Sequence, residues 1–273
     1  MIVDSHTHLC GSPLNDETMV ISYPEGGSFN LGLQRKVANV ESLIEDMNSR
    51  NIDTALVMGF PELVSNKELS EMMKKYPKRI IGFTGVFDPK KPDSVKELEY
   101  AVTKLGLKGL KLHPDCHSFS PDEVEIVPLI KKAAELGVPT LIHSYPGNMR
   151  RGYFRAAPET VDELKKHVPE ADIIIAHMGY PRYLDLLTLA QIPGVYVETC
   201  MGLTSIAELH GLEFTARYLR MVGVDNVLFG SDWVGKEVGM EQQKQLDLIN
   251  KLDLTREEKD KILGGNAAKL LKL

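Results

Sequence analysis

Short β-branched and apolar runs recur along the chain and alternate with stretches of helical period. They are "TALVMGF" (54–60), "IIGFTGV" (80–86), "LKGLKLH" (107–113), "TLIHS" (140–144), "DIIIAHM" (172–178), "VYVETC" (195–200) and "NVLFGSD" (226–232), and residues 2–8 make an eighth. Strands separated by helices imply parallel βα units rather than hairpins. The helical stretches carry apolar residues every three or four positions, such as Val40, Leu43, Ile44 and Met47, or Leu129, Ile130, Ala133 and Leu136. Pro128 suits a first helical turn, and Gly137 before Val138 and Pro139 ends that helix and feeds the next strand. Eight such units in 273 residues fit a single α/β domain over 1–273 folded as a (β/α)8 TIM barrel. A doubly wound open sheet is the alternative, but neither GxGxxG nor GxxxxGK[ST] follows any of the runs. One connection is long: residues 9–39, rich in turn formers, form an insertion that could close over the active face as a lid or be a surface loop without a catalytic role.

Charge and cysteine usage narrow the partners. A formal charge of −6 and a pI near 5.8, with acidic and basic residues interspersed, provide no footprint for nucleic acid or an anionic membrane. A small-molecule substrate is expected, and a homo-oligomer is left open. Cys10, Cys116 and Cys200 are far apart, odd in number and without a CxxC pair, so no disulfide framework or thiolate zinc site is indicated, and a reducing cytoplasm fits. No run is long and apolar enough to span a bilayer, and no basic region precedes the first apolar stretch, so the expectation is a soluble, unprocessed protein.

In a barrel of this kind the active site lies at the C-terminal ends of the strands. Those ends carry His6 and His8, Lys111 and His113, His143, His177, Glu198 and Asp232. In "DSHTH" the two histidines sit one residue apart, so on a strand both imidazoles face the same way, which suggests a metal. A lone strand-end histidine is usually structural, but five of the chain's eight fall in this one ring. His117, in a turn, is expected at solvent, and His167 and His210 lie outside the ring.

The series "DSHTHL", "GLKLHP", "LIHSY", "IIAHMG" and "LFGSDW", with the C-terminal "GGNAAKLLKL", resembles the amidohydrolase superfamily, in particular its amidohydrolase-related branch of metal-dependent hydrolases and decarboxylases. The resemblance spans nearly the whole chain and implies a distorted TIM barrel with one or two divalent metals at its mouth. Position by position, it implies His6, His8, His143 and Asp232 as metal ligands. Asp232 also handles protons, and His177 acts at the carbonyl or serves a second metal. Lys111 could join that second site as a carboxylated bridge, although a single metal is the first expectation. Three imidazoles and a carboxylate suit zinc. The implied function is hydrolysis of an amide, lactone or ester bond of a small anionic substrate by metal-bound hydroxide. Non-oxidative decarboxylation of an aromatic or unsaturated acid is the alternative, and a binding protein with a vestigial site would have lost a ligand, which this chain has not.

Substrate contacts are expected from His113, from Trp233 beside Asp232, and from the loop "YPGNMRRGYFRAAPE" (145–159), where Arg150, Arg151 and Arg155 could grip a carboxylate or phosphate. The ordinary reading of the arginines is a solvated loop, and that of Trp233 is packing. Cys10 and Cys200 are placed near the barrel mouth, not as nucleophiles.

Overall fold

In the computed structural model the described residues are 1–10, 20–22, 28–30, 38–145, 155, 157–235 and 240–273. Strand β1 (Val3–Thr7) is followed by an antiparallel hairpin, β2 (Val20–Ser22) with β3 (Ser28–Asn30). Then come β4 (Thr54–Met58), β5 (Ile80–Phe83), β6 (Leu110–Leu112), β7 (Thr140–Ile142), β8 (Ile173–Ile175), β9 (Val195–Glu198) and β10 (Val227–Leu228). Leaving aside the hairpin, these are the eight expected runs, four of them shortened at both ends and four at the C-terminal end alone.

Pairing is parallel throughout the eight, in the order β1-β4-β5 and β6-β7-β8-β9-β10. Backbone hydrogen bonds join the two arcs on both sides. Thr84 N donates to Gly109 O at 2.7 Å and Lys111 N to Thr84 O at 2.8 Å. On the other side Ser5 N donates to Phe229 O at 2.8 Å, Asp232 N to His6 O at 2.8 Å and His8 N to Trp233 O at 2.7 Å. The result is the TIM barrel, and the second seam runs directly through the residues expected to bind metal.

Both faces of each strand are covered, which is why the runs are continuously apolar rather than alternating. Ile174 points into an inner cluster with Val3, Leu56, Met58, Phe83, Leu141 and Leu228. Its neighbours Ile173 and Ile175 face the helical shell with Leu43, Met47 and Leu129. The helix Val40–Ser49 begins where Asn39 accepts from Ser42 N, and it buries Val40, Leu43 and Met47, the expected stripe. The helix Val127–Glu135 has Pro128 in its first turn and Leu129, Ile130 and Ala133 buried, and Gly137 just beyond takes φ +67°.

The register of β1 against β4 slips between Asp4 and Thr7, which pair with Ala55 and Val57. Three residues on one strand span two on the other, so β1 carries a bulge. This turns Asp4 outward, where its carboxylate accepts from Gln242 Nε2 (2.9 Å), Ser231 Oγ (2.6 Å) and Ser231 N (3.0 Å). Its Oδ1 also accepts the His6 N–H at 3.3 Å. The bulge thereby aims His6 and His8 inward while Asp4 ties β1 to the segment bearing Asp232. No described helix is long and apolar enough to cross a membrane.

Candidate metal centre and active site

The two histidines of "DSHTH" converge: His6 Nε2 lies 3.1 Å from His8 Nε2. Asp232 Oδ1 stands 3.6 Å from His6 Nε2 and 3.2 Å from His8 Nε2. Four-coordinate zinc with bonds of about 2.0–2.2 Å to nitrogen and oxygen has ligand–ligand edges of roughly 3.4 Å, so the three atoms already have the spacing of one coordination sphere. Asp232 is presented by a left-handed backbone (φ +59°), and Ser231 next to it is pinned by Asp4. An unfavourable conformation held by its surroundings is common at functional sites.

Lys111 enters the same space. Its Nζ is 3.0 Å from His6 Nε2 and is buried. Burial draws its ammonium down to about 8, against the opposing pull of the Asp232 and Glu198 carboxylates. Burial alone would raise the Asp232 carboxyl, but His6, His8 and Lys111 outweigh it and hold the group well below the ordinary carboxylate range. Burial keeps the imidazoles of His6, His113 and His177 neutral, and lowers His143 to about 3.

Beneath this triad lies a second layer. Glu198, fully buried, accepts from His6 Nδ1 at 2.9 Å, so the proton of His6 is on Nδ1 and its Nε2 lone pair faces His8 and Asp232. A carboxylate behind a ligating histidine fixes its tautomer and ring orientation. Glu198 also accepts the backbone N–H groups of His177 and Cys200, each at 2.7 Å. Burial raises its pKa to about 7 even so. Cys200 Sγ sits 2.9 Å from His177 Nδ1, 2.9 Å from Glu198 Oε1 and 3.4 Å from His6 Nδ1, and burial holds it as the thiol. His6, His177, Glu198 and Cys200 thus form a second ligand-like group. Its 2.9 Å contacts at sulfur are hydrogen-bond lengths, shorter than the roughly 3.6 Å edge that a Zn–S bond of about 2.3 Å requires. It supports the triad from below.

His143 and His177 are bonded to other partners beside that triad. His143 Nε2 bonds the Tyr145 carbonyl at 2.6 Å, and its Nδ1 meets His177 Nε2 at 2.9 Å. The His143 ring stacks on His113 with centroids 3.8 Å apart. His143, His113, His8 and Asp232 line one open cavity with Cys10, Phe60, Leu63, Cys116 and Val234. His177, expected at the carbonyl or at a second metal, is buried with its ring centroid 5.2 Å from that of His6, on a left-handed turn (φ +57°) whose N–H is held by Glu198. Trp233 is corrected: its indole is fully buried, donates to Asp46 Oδ2 at 2.8 Å, and is not among the residues lining the cavity. His117 likewise is not at solvent but stacks on Phe60 at 5.3 Å. Arg150 and Arg151 lie outside the described residues, as does most of the 9–39 insertion.

Two participants were not singled out from sequence as site residues, Glu198 as the partner of His6 and Cys200 as the partner of His177. Their i, i+2 spacing at the end of β9 was the available signal, since alternate residues share a face.

Comparison with known proteins agrees with this fold. Among curated proteins none matches the chain. Among solved structures, a probable 2-pyrone-4,6-dicarboxylic acid hydrolase from Acinetobacter baumannii, with citric acid bound, superposes with a TM-score of 0.71 at 15% identity, covering 100% of this chain and 99% of that one. The 5-carboxyvanillate decarboxylase of Sphingomonas paucimobilis gives 0.71 at 15% identity, with the same coverage. A dihydroxybenzoic acid decarboxylase from Polaromonas sp. JS666, with bound manganese and the inhibitor 2-nitroresorcinol, gives 0.69 at 18% identity, covering 100% and 97%. At these identities the likeness establishes the fold. The amidohydrolase family model (Amidohydro_2) matches residues 3–273, and the chain belongs to that family of enzymes.

Proposed function

We propose that the protein is a divalent-metal hydrolase that cleaves an amide, lactone or ester bond of a small acid. The observation that carries this reading is the ionised Asp232 carboxylate, 3.2 Å from His8 Nε2 and lining the open cavity. His6, His8 and Asp232 would hold the ion, with His143 as fourth donor once its Nε2 leaves the Tyr145 carbonyl. Zinc suits two or three imidazoles and one carboxylate, although manganese occupies the Polaromonas relative. The ion, when bound, would polarise a carbonyl and lower the pKa of water to about 7.

The chain's own groups supply the rest. Asp232, ionised at neutral pH, accepts the proton of an attacking water at its carboxylate oxygen. Glu198 orients His6, and His177 acts through His143 rather than on the substrate. Lys111, near neutrality in its pKa, adjusts charge at the site by carrying or releasing a proton, or by carboxylation if a second ion is present. Phe60, Leu63 and Val234 offer an apolar wall, and His113 a polar edge, to the substrate. Three cysteines outside any disulfide are compatible with a reducing cytoplasm.

Decarboxylation of an aromatic acid is the second reading, favoured by the names of the relatives above. Under it Lys111, drawn down to about 8, and Glu198, raised to about 7, are the groups able to supply a proton to carbon. A panel of lactones, amides and hydroxybenzoic acids, assayed with zinc and with manganese, decides. Ring opening or amide cleavage abolished in Asp232→Asn supports hydrolysis. Carbon dioxide release without hydrolysis overturns it.

A further inference from the structure

Four groups form an unbroken hydrogen-bonded chain, the carbonyl of half-buried Tyr145 and the buried His143, His177 and Cys200 thiol, at successive separations of 2.6, 2.9 and 2.9 Å. Its proton order can be counted from one end. A carbonyl only accepts, so His143 carries its proton on Nε2 and presents a lone pair at Nδ1. His177 Nε2 must then donate to that lone pair, which leaves His177 Nδ1 as an acceptor. The one partner at that nitrogen among the described residues is Cys200 Sγ, so the thiol points its proton at His177.

The thiol also has a second acceptor at the same distance, Glu198 Oε1 at 2.9 Å. A group able to donate to either side, and to accept from His177 in return, is what the chain needs if its order is ever inverted. Inversion follows once His143 gives its Nε2 lone pair to a metal. The His143 proton then sits on Nδ1 and donates to His177 Nε2, His177 carries its proton on Nδ1 and donates to sulfur, and the S–H swings to Glu198. Each group keeps one proton throughout, so none is gained or lost.

We propose that Cys200 is a positioning residue whose thiol complements either tautomer of His177, donating to its Nδ1 in the metal-free protein and accepting from it when His143 binds metal. The metal-loaded half rests on the reading given under Proposed function; the metal-free half does not. Ser at this position keeps both roles and Ala neither.

The test is long-range 15N–1H correlation of histidine tautomers in the full chain, metal-free and with one equivalent of zinc, for wild type, Cys200→Ser and Cys200→Ala. Metal-free, His177 is expected as the Nε2–H form in all three proteins, pinned by the Tyr145 carbonyl through His143; only in Cys200→Ala does its Nδ1 lose a donor, so the 15Nδ1 resonance moves downfield toward that of an unbonded imidazole nitrogen. With zinc, wild type and Cys200→Ser switch to Nδ1–H, and Cys200→Ala binds zinc about 10- to 100-fold more weakly, as when an outer partner of a ligand is removed. An Nδ1–H form in the metal-free wild type overturns the proposal, as does a wild-type 15Nδ1 position or a wild-type zinc affinity in Cys200→Ala. If zinc fails to bind at all, the metal reading falls while the metal-free spectra still decide the role of Cys200. If Cys200→Ala does not fold, Cys200→Val, which fills the volume with no donor or acceptor, takes its place with the same expected outcomes.

Discussion

Glu198→Gln separates the two tasks of the buried carboxylate. Its Oε1 accepts from His177 N at 2.7 Å and His6 Nδ1 at 2.9 Å, and its Oε2 from Cys200 N at 2.7 Å. A glutamine has one carbonyl oxygen. The better orientation puts it at the Oε1 position, where it serves His177 and His6, and sets its NH2 against the Cys200 N–H. One buried donor is orphaned, which costs roughly 1–3 kcal/mol. His6 keeps its orienting bond, so metal affinity should hold. Glu198→Ala orphans all three donors, an upper bound of roughly 3–9 kcal/mol since they share one network. It also releases His6, so metal affinity should drop by about 10- to 100-fold. Urea unfolding of the metal-free proteins gives the first quantity, and zinc titration against a competing chelator the second. A Gln variant as stable as wild type, or an Ala variant that binds zinc like wild type, refutes the role assigned to Glu198.

Stability of the metal-free protein should depend on pH in a definite sense. His6, His113, His143 and His177 have folded-state pKa values below their unfolded ones, so each favours the native state as pH rises toward 6.5. Asp4 and Glu198, raised to about 7, act oppositely between their unfolded values and 7. Four imidazoles against two carboxylates leave a net uptake of about two protons on unfolding near pH 5.5, so the urea midpoint should climb from pH 5 to 6.5; a falling midpoint contradicts the assignments. Gly202→Ala should destabilise by about 1–3 kcal/mol and disturb the His177 signals, because an added Cβ would collide with the His177 carbonyl; an unchanged Tm contradicts this. Trp233→Phe, which removes the bond to Asp46, should lower stability by about 1 kcal/mol with metal content unchanged; loss of metal instead would place the indole at the site.

The barrel was legible because strands covered on both faces must be apolar without interruption, as in Ile173, Ile174 and Ile175. The polar ring was legible because side chains at strand ends are the exceptions to that rule. The bulge in β1 was not, since one extra residue leaves the spacing of His6 and His8 intact while reversing only Asp4. The depth of His177 was also hidden: it depends on a left-handed turn at a residue whose type does not announce it. Trp233 was ambiguous from its place beside Asp232. Its neighbour's backbone turns at φ +59°, and the bond to Asp46 on the helix Val40–Ser49 draws the indole into the interior.

The measurement that bears most directly on the metal site is metal content per chain, by elemental mass spectrometry on protein purified without chelator, for wild type, His8→Ala, Asp232→Asn and His177→Ala. One ion per chain in wild type and His177→Ala, with loss in His8→Ala and Asp232→Asn, is the expected result. Full occupancy in His8→Ala and Asp232→Asn would contradict the site, and two ions in wild type falling to one in His177→Ala would make His177 a ligand and Lys111 its bridging partner.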